Sequence, residues 1–215
     1  MAFARTRSRS RIMWRGFSVA AMTEGVPGTC DVSILVRGSS FGLLVFDQAE
    51  SAHDFLLFNH HRAMQWSHPK MQGDLPPLCR AHSATLVGRK IVTIGGGEGA
   101  SYYHSVYVFD IPTRRWPCLT STTPDVPPPR HGHIMMLYWN KSWVFGDGNG
   151  LQVLNDVWTL DVRVGSSLDR MRWEQVTKWT HKRPSLCGYH MANLVRNIMF
   201  VVGGSDGRKC LQDHR

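Results

Sequence analysis

The feature that most constrains the fold is a set of residues that recurs at fixed offsets along the chain. A histidine is followed 13 residues later by a glycine that comes directly after an apolar run. In the first two copies, an aspartate closes another apolar run 15 residues after that glycine, and a tryptophan follows. The histidines lie 51 and then 57 residues apart, which indicates a structural repeat. The repeated residues are His82, Gly95, Gly96, Asp110 and Trp116, then His133, Gly146, Asp161 and Trp173, then His190, Gly203 and Gly204.

Each copy predicts four short strands separated by turn-forming Gly, Asn, Asp and Pro residues. The first strand is predicted to hold the histidine, the second to end at the glycines, the third to end at the aspartate and the fourth to begin at the tryptophan. A glycine pair at a strand end allows a positive φ or a close backbone approach that a Cβ would hinder. A sheet of this kind cannot bury both faces alone, so the copies are expected to stack on one another.

Composition and charge exclude several classes of protein. Apolar residues make up 42% of the chain and charged residues 19%, which predicts a packed core rather than general disorder. No segment approaches the roughly 20 apolar residues of a membrane-spanning helix, so no membrane partner is expected. The net charge is +9, but five arginines lie in residues 1–23, before the first acid. The rest of the chain lacks a basic stripe interleaved with aromatics, so no nucleic acid partner is expected.

Residues 1–30 are interpreted as a basic, disordered N-terminal arm. Their Arg- and Ser-containing, acid-poor composition is also compatible with a mitochondrial transit peptide, which stays an alternative. The five cysteines form an odd number without a CxxC pair, which favours reduced thiols and a cytoplasmic location.

Two further motifs lie in the middle copy: Pro-Pro-Pro-Arg-His-Gly-His at 127–133 and Leu-Asn-Asp-Val-Trp at 154–158. With the period of about 50 residues and the glycine pair, they resemble the kelch-repeat β-propeller family. The resemblance implies an all-β fold of four-stranded antiparallel blades, with the histidine strand innermost and the tryptophan strand outermost. It predicts a partial propeller over 31–215 with an incomplete ring. The predicted units are a blade tail at 41–75, blades at 76–125 and 126–180, and a truncated blade at 181–215.

The middle copy departs from its neighbours at two positions. It has Arg130 where the flanking copies have Cys79 and Cys187, and it has Asp147 where they have glycine. Each difference can arise from one transition mutation, so a non-functional truncated gene copy is an alternative interpretation. If Asp147 keeps the backbone geometry of its glycine counterparts, it should be strained, and Asp147→Gly should stabilise the protein.

The sequence contains no recognisable catalytic or metal-binding motif. The histidine clusters have no third and fourth ligand at zinc-like spacing, and the three repeated histidines are interpreted as structural. We therefore expect no metal, no cofactor and no enzymatic activity. A fragment of a galactose-oxidase-like copper-radical oxidase, which shares the propeller fold, is the enzyme alternative, although its tyrosine and histidine ligands cannot be assigned here.

The resemblance implies a protein–protein interaction scaffold that binds proteins or peptides through a loop rim. That rim joins the loops between second and third strands to the loops leading into first strands. The uncovered faces of the outermost blades are in addition expected to favour self-association. The predicted rim residues are Arg80, Glu98, Tyr102, Tyr103, Arg130, His131, Asn149, Gln152, Asn155, Asp206 and Arg208.

Overall fold

The computed structural model describes two kinds of segment. Five strands between Val19 and Ser67 are described by their backbone alone. Side chains are described in 70–77, 79–117, 125–163, 171–178, 183, 185–188, 190–206 and 208. All regular elements of the described residues are β-strands, which confirms the all-β fold class.

The first sheet, which we call blade 1, comes entirely from the N-terminal third of the chain. Its strands pair antiparallel in chain order, so each strand hydrogen-bonds to the next. They are β1 (Val19–Ala21), β2 (Asp31–Arg37), β3 (Ser40–Asp47), β4 (Ala52–Asn59) and β5 (Gln65–Ser67).

Two sequence predictions need correction in blade 1. The sheet has a first strand, β2, upstream of the blade tail predicted from residue 41. The short strand β1 lies inside the arm that was predicted to be disordered, and it extends the sheet by pairing with β2. Residues 1–18 lie outside the described residues, so the basic character of the arm is a sequence observation only.

Blade 2 follows the predicted repeat closely. Its sheet order is β6-β12-β11-β8-β7, with β6 parallel to β12 and the other pairs antiparallel, while β9 and β10 form a separate two-stranded ribbon. The strands are β6 (Gln72–Gly73), β7 (Ser83–Val87), β8 (Lys90–Ile94), β9 (Gly97–Glu98), β10 (Ser101–Tyr102), β11 (Val106–Asp110) and β12 (Arg115–Trp116).

Blades 3 and 4 complete the described fold. Blade 3 is a four-stranded antiparallel sheet in chain order, and blade 4 is a two-stranded hairpin among the described residues. The strands are β13 (Ile134–Tyr138), β14 (Lys141–Gly148), β15 (Val153–Asp161) and β16 (Trp173–Gln175) in blade 3, then β17 (Met191–Val195) and β18 (Ile198–Val202) in blade 4.

The first strands of successive blades contact one another, β2 with β7, β7 with β13, and β13 with β17. These strands therefore form the inner edge of the array, and β12 and β16, which carry Trp116 and Trp173, lie farther out. The ring is not closed among the described residues. The repeated histidines do not lie in the first strands, as predicted, but directly before them, because β7, β13 and β17 each start one residue later.

The core lies between the blades. Side chains from β8 and β11 pack against Met135, Val144 and Trp158 of blade 3, and the other face of blade 3 packs on blade 4 through Phe145 and Val201. The far face of blade 2 buries Phe109 and Trp116, whose ring centroids are 5.0 Å apart. No helix among the described residues is long and apolar enough to cross a membrane.

Candidate interaction surface

The repeated histidines connect neighbouring blades. A Cβ on Gly95 of blade 2 would lie 2.8 Å from Cε1 of His133 in blade 3. The equivalent distance from Gly146 of blade 3 to Cε1 of His190 in blade 4 is 2.9 Å. Both glycines have φ +66°, so this position requires glycine for its conformation and for the close approach. Each histidine therefore packs on the first glycine of the preceding blade.

Burial keeps these imidazoles neutral. It lowers the pKa of His82 and of His190 to about 4. It also holds the pKa of His133 well below its ordinary value, with a further contribution from the Arg130 charge. The Nε2 atom of His133 hydrogen-bonds to Oγ of Ser83 across the boundary of blades 2 and 3. In the part of the chain that the structure describes, no group of three or more His, Cys, Asp or Glu side chains is arranged to hold a metal ion.

Main-chain hydrogen bonds bring the two kinds of predicted rim loop together. The amide of Gly96 donates to the carbonyl of Arg130 at 2.9 Å, and the amide of Arg130 donates to the carbonyl of Tyr103 at 3.0 Å. The amide of Asp147 donates to the carbonyl of Cys187 at 3.2 Å in the equivalent place one blade later. We call the edge formed by these loops the diglycine rim, and the opposite edge, where first and second strands are joined by turns, the hairpin rim.

Arg130 does not belong to the exposed surface, and its prediction as a binding residue was wrong. Its side chain is completely buried and forms a bidentate pair with Asp156, with N–O distances of 2.9 and 2.7 Å. Its Nε also donates to the carbonyl of Pro128, and the indole of Trp158 donates to Asp156 at 2.6 Å. The guanidinium therefore stabilises the interior of blade 3 and is not available to a partner.

Tyr102 and His131 form the centre of the diglycine rim. Tyr102 ends the β9–β10 ribbon of blade 2, and its ring centroid lies 4.5 Å from that of His131 in blade 3. The ring of Tyr102 also lies against Gly150, which has no room for a Cβ there and a φ of +84°. Nδ1 of His131 lies 3.1 Å from the carbonyl of Gly148. Two predicted residues from different blades thus make one rigid aromatic platform.

Charged side chains of blade 2 flank this platform. Arg80 and Glu98 are exposed, and the main chain of Arg80 exchanges two hydrogen bonds with Gly97, beside Glu98. Tyr103 is half-buried against the core of blade 2. Burial and the nearby Glu98 carboxylate raise the pKa of Tyr103, so its phenol stays neutral.

The loop between β14 and β15 supplies the blade 3 side of the rim. Oδ1 of Asn149 accepts the amides of Leu151 and Gln152 at 3.0 and 2.9 Å, so this predicted binding residue orders its own loop. Gln152 is exposed, and Asn155 is half-buried. Leu151, with 94% of its surface exposed, was missed, although an apolar residue after the Asn149-Gly150 turn is a sequence signal for an exposed contact.

The two predicted residues of blade 4 are not brought to the Tyr102 platform. Oδ1 of Asp206 accepts the amide of Arg208 at 2.8 Å, which is a local turn contact. Because blade 3 lies between blade 4 and the β9–β10 ribbon, Asp206 and Arg208 belong to a separate part of the rim. We define the interaction surface as Arg80, Glu98, Tyr102, His131, Leu151 and Gln152.

Comparison with known proteins addresses the family. Residues 36–214 match the KLHDC2/KLHL20/DRC7 Kelch-repeats domain. The chain is 32% identical to human host cell factor 2 over 120 residues, which are 48% of this chain and 15% of that protein. It is 29% identical to tip elongation aberrant protein 1 of Schizosaccharomyces pombe over 135 residues, 59% of this chain and 12% of that protein.

Two further matches support the same assignment. Kelch repeat-containing protein 2 of Saccharomyces cerevisiae is 30% identical over 118 residues, which are 50% of this chain and 13% of that protein. The solved structure of YjhT superposes with a TM-score of 0.59 at 13% identity, covering 86% of this chain and 61% of YjhT, which shows a common fold. The chain thus matches only a small part of its curated relatives, and the family match covers most of its length. The chain belongs to the kelch-repeat family.

Proposed function

We propose that the protein is a non-catalytic interaction scaffold that binds a protein or peptide through the interaction surface and acts in the cytoplasm. The contact of Tyr102 with His131 and Gly150 carries the proposal, because it fixes an aromatic side chain from one blade on a loop of the next. A side chain that is already held in place loses little conformational entropy when a partner binds. The kelch-repeat relatives support a repeat domain of this kind, and the partner is a matter for experiment.

The chemistry of the surface fits a peptide with both polar and apolar groups. Exposed Arg80 can form bidentate bonds to a carboxylate, and exposed Glu98 offers the opposite charge. Tyr102 and His131 provide a rigid amphipathic platform, and Leu151 provides apolar area on the neighbouring loop. The mixture of charges and the presence of the platform favour an extended peptide or a loop of a folded protein.

Affinity purification with the wild-type chain and three single variants tests this function. Tyr102→Ala and Arg80→Ala should reduce the recovered partner by about tenfold, since each would remove a central contact. Lys178→Ala is the matched control, because Lys178 is exposed on blade 3 outside the interaction surface. Equal recovery with all four proteins would show that the partner binds elsewhere.

We also propose that the outer face of blade 4 binds a second copy of this chain. Val202 is 45% exposed, whereas Phe145 and Ile94, which hold the same repeat position in blades 3 and 2, are buried. Phe200 and Ile198 continue the apolar face, with 44% and 55% of their surfaces exposed. In blades 2 and 3 this face is covered by the next blade, so a blade of a second copy has the matching shape.

Size-exclusion chromatography with light scattering at several protein concentrations tests self-association. The wild-type chain should show a dimer or larger species, and Phe200→Glu should shift it towards the monomer. Leu151→Glu, which places the same charge on an exposed apolar residue of the diglycine rim, should leave the distribution unchanged. A wild-type chain that stays monomeric at every concentration would contradict the proposal.

A further inference from the structure

A second candidate site lies on the hairpin rim of blade 3, opposite the interaction surface. The turn between β13 and β14 and the end of β15 enclose an open cleft of about 500 Å³. Aromatic rings provide much of its wall, and polar groups stand around them. The lining used in the argument below is Tyr138, Trp139, Lys141, Trp143, Asp161 and Arg163.

Trp139 is held in an unfavourable and exposed position at this cleft. Its φ is +56°, and 81% of its surface is exposed. The same turn position is occupied by Gly88 in blade 2 and by Arg196 in blade 4. A bulky side chain is uncommon at positive φ, and an exposed indole gains little from burial. Its ring contact is an edge-on one with Tyr138, with centroids 6.3 Å apart, so the fold alone does not explain the tryptophan.

The charges at the cleft are internally compensated. Lys141 pairs with Glu174 at 2.7 Å, and Arg163 pairs with Asp161 at 3.0 Å. The cleft therefore offers polar atoms without an excess of either charge. This arrangement disfavours a polyphosphate or a strongly acidic peptide, which would need unpaired cations. It fits an uncharged ligand that presents flat apolar faces and hydrogen-bond acceptors.

The aromatic wall also contains an unused donor. The indole N–H of Trp143 is buried and has no hydrogen-bond acceptor among the described residues. A polyproline II segment has no internal hydrogen bonds, so its carbonyl oxygens are available as acceptors, and its proline rings are flat and apolar. Grooves lined by aromatic side chains recognise proline-rich segments in this manner in unrelated domains.

We propose that the hairpin-rim cleft of blade 3 binds a proline-rich segment of a partner protein in the polyproline II conformation. Trp139 and Tyr138 would pack on successive proline rings, and the polar rim around Lys141 and Asp161 would accept or donate bonds to the peptide backbone. The proposal rests on the proposed function as an interaction scaffold and adds a second binding face with a stated partner chemistry.

Fluorescence anisotropy of labelled decaproline, titrated with the full chain, tests the cleft directly. The wild-type chain should bind decaproline, and Trp139→Gly should weaken binding by about tenfold or more. Because glycine occupies this turn position in blade 2, the variant should fold at least as stably as the wild type, which a thermal melt checks. Trp139→Phe, which keeps an aromatic ring, should retain part of the affinity.

Controls separate this proposal from the proposed function and from a different ligand class. Tyr102→Ala, on the diglycine rim, should bind decaproline like the wild type, even if it loses the partner recovered by affinity purification. A Gly-Ser peptide of equal length should not bind. The proposal would be overturned if decaproline failed to bind, if Trp139→Gly bound it unchanged, or if a neutral glucose oligosaccharide bound at Trp139 in its place.

Discussion

Blades 2 and 3 form equivalent boundaries with the next blade from different side chains. Blade 2 has buried Cys79 before its first strand and Gly96, with φ +91°, after its second. Blade 3 has Arg130, paired with Asp156, and Asp147, with φ +58°, at the same places.

The hydrogen bond to the next blade is nevertheless the same in both. It runs from the amide of Gly96 to the carbonyl of Arg130 and from the amide of Asp147 to the carbonyl of Cys187. The boundary is therefore specified by main-chain geometry and by the packing of glycine on histidine, and the other side chains can vary around it. The predictions below first break the shared feature and then exchange the features that differ.

The largest expected effect comes from acid, which acts on the histidines that the blades share. The pKa values of His82 and His190 are lowered to about 4, and that of His133 is lowered further, so the unfolded chain takes up protons more readily. Their contribution to stability is complete above about pH 6.5 and falls as the pH drops towards about 4. At pH 5 each histidine should cost about 2 kcal/mol, and the three together about 6 kcal/mol.

Urea unfolding at pH 7 and at pH 5 measures this loss. His104→Gln is the matched control, since His104 is an exposed histidine of blade 2 and its replacement should leave the pH dependence unchanged. An unfolding free energy that does not fall between the two pH values would mean that the buried imidazoles accept protons without opening the boundaries.

The fold was readable from the sequence because its determinants are local and repeat. Glycine at Gly95 and Gly146 is required by a positive φ and by contact with a histidine, and both requirements leave the same residues at the same offset. Blade 1 was only partly predicted, because it lacks the glycine pair and its strands β1 and β2 carry none of the repeated residues. Hydrophobic alternation alone did not reveal its first strand.

The second largest effect should come from breaking the ion pair that distinguishes blade 3. Arg130→Cys gives blade 3 the residue of blade 2 and leaves the carboxylate of Asp156 in a largely buried place without its cation. Removing one partner of such a pair costs about 3 kcal/mol or more. Chemical denaturation should show this loss as a lower midpoint with an unchanged slope.

The double variant Arg130→Cys/Asp156→Ser sharpens the comparison, because it installs the Cys79 and Ser105 pair found at these positions in blade 2. Most of the lost stability should return, since no charge then remains buried. If the double variant were as unstable as Arg130→Cys alone, the hydrogen bonds of Arg130 to the main chain would carry the stabilisation.

The interaction surface was less predictable than the fold for a physical reason. Loop order along the chain indicates which residues reach a rim, but it does not show which side chains turn inwards. Arg130 is buried because its partner Asp156 lies 26 residues later, a distance that no local pattern encodes. Leu151 is exposed because Asn149 closes the turn beneath it, which becomes visible only with the loop folded.

The smallest expected effect concerns Asp147, which tests whether blade 3 tolerates its departure from glycine at a cost. Its φ of +58° confirms the left-handed backbone, and its side chain is buried against Gly188 of blade 4. Asp147→Gly removes the backbone strain and a buried carboxylate, so a thermal melt should show stabilisation of about 1 kcal/mol despite the more flexible unfolded chain.

The reciprocal change, Gly96→Asp in blade 2, should be destabilising. Gly96 has φ +91°, and a Cβ there would lie 2.9 Å from the carbonyl oxygen of Arg80 and 3.1 Å from Sγ of Cys79. Blade 3 accommodates its aspartate with a smaller φ and with a register shift in β14 between Phe145 and Asp147. If Asp147→Gly lowered the melting temperature, the carboxylate would contribute more to the contact with blade 4 than the strained backbone costs. In that case, the aspartate would be a stabilising element of this boundary.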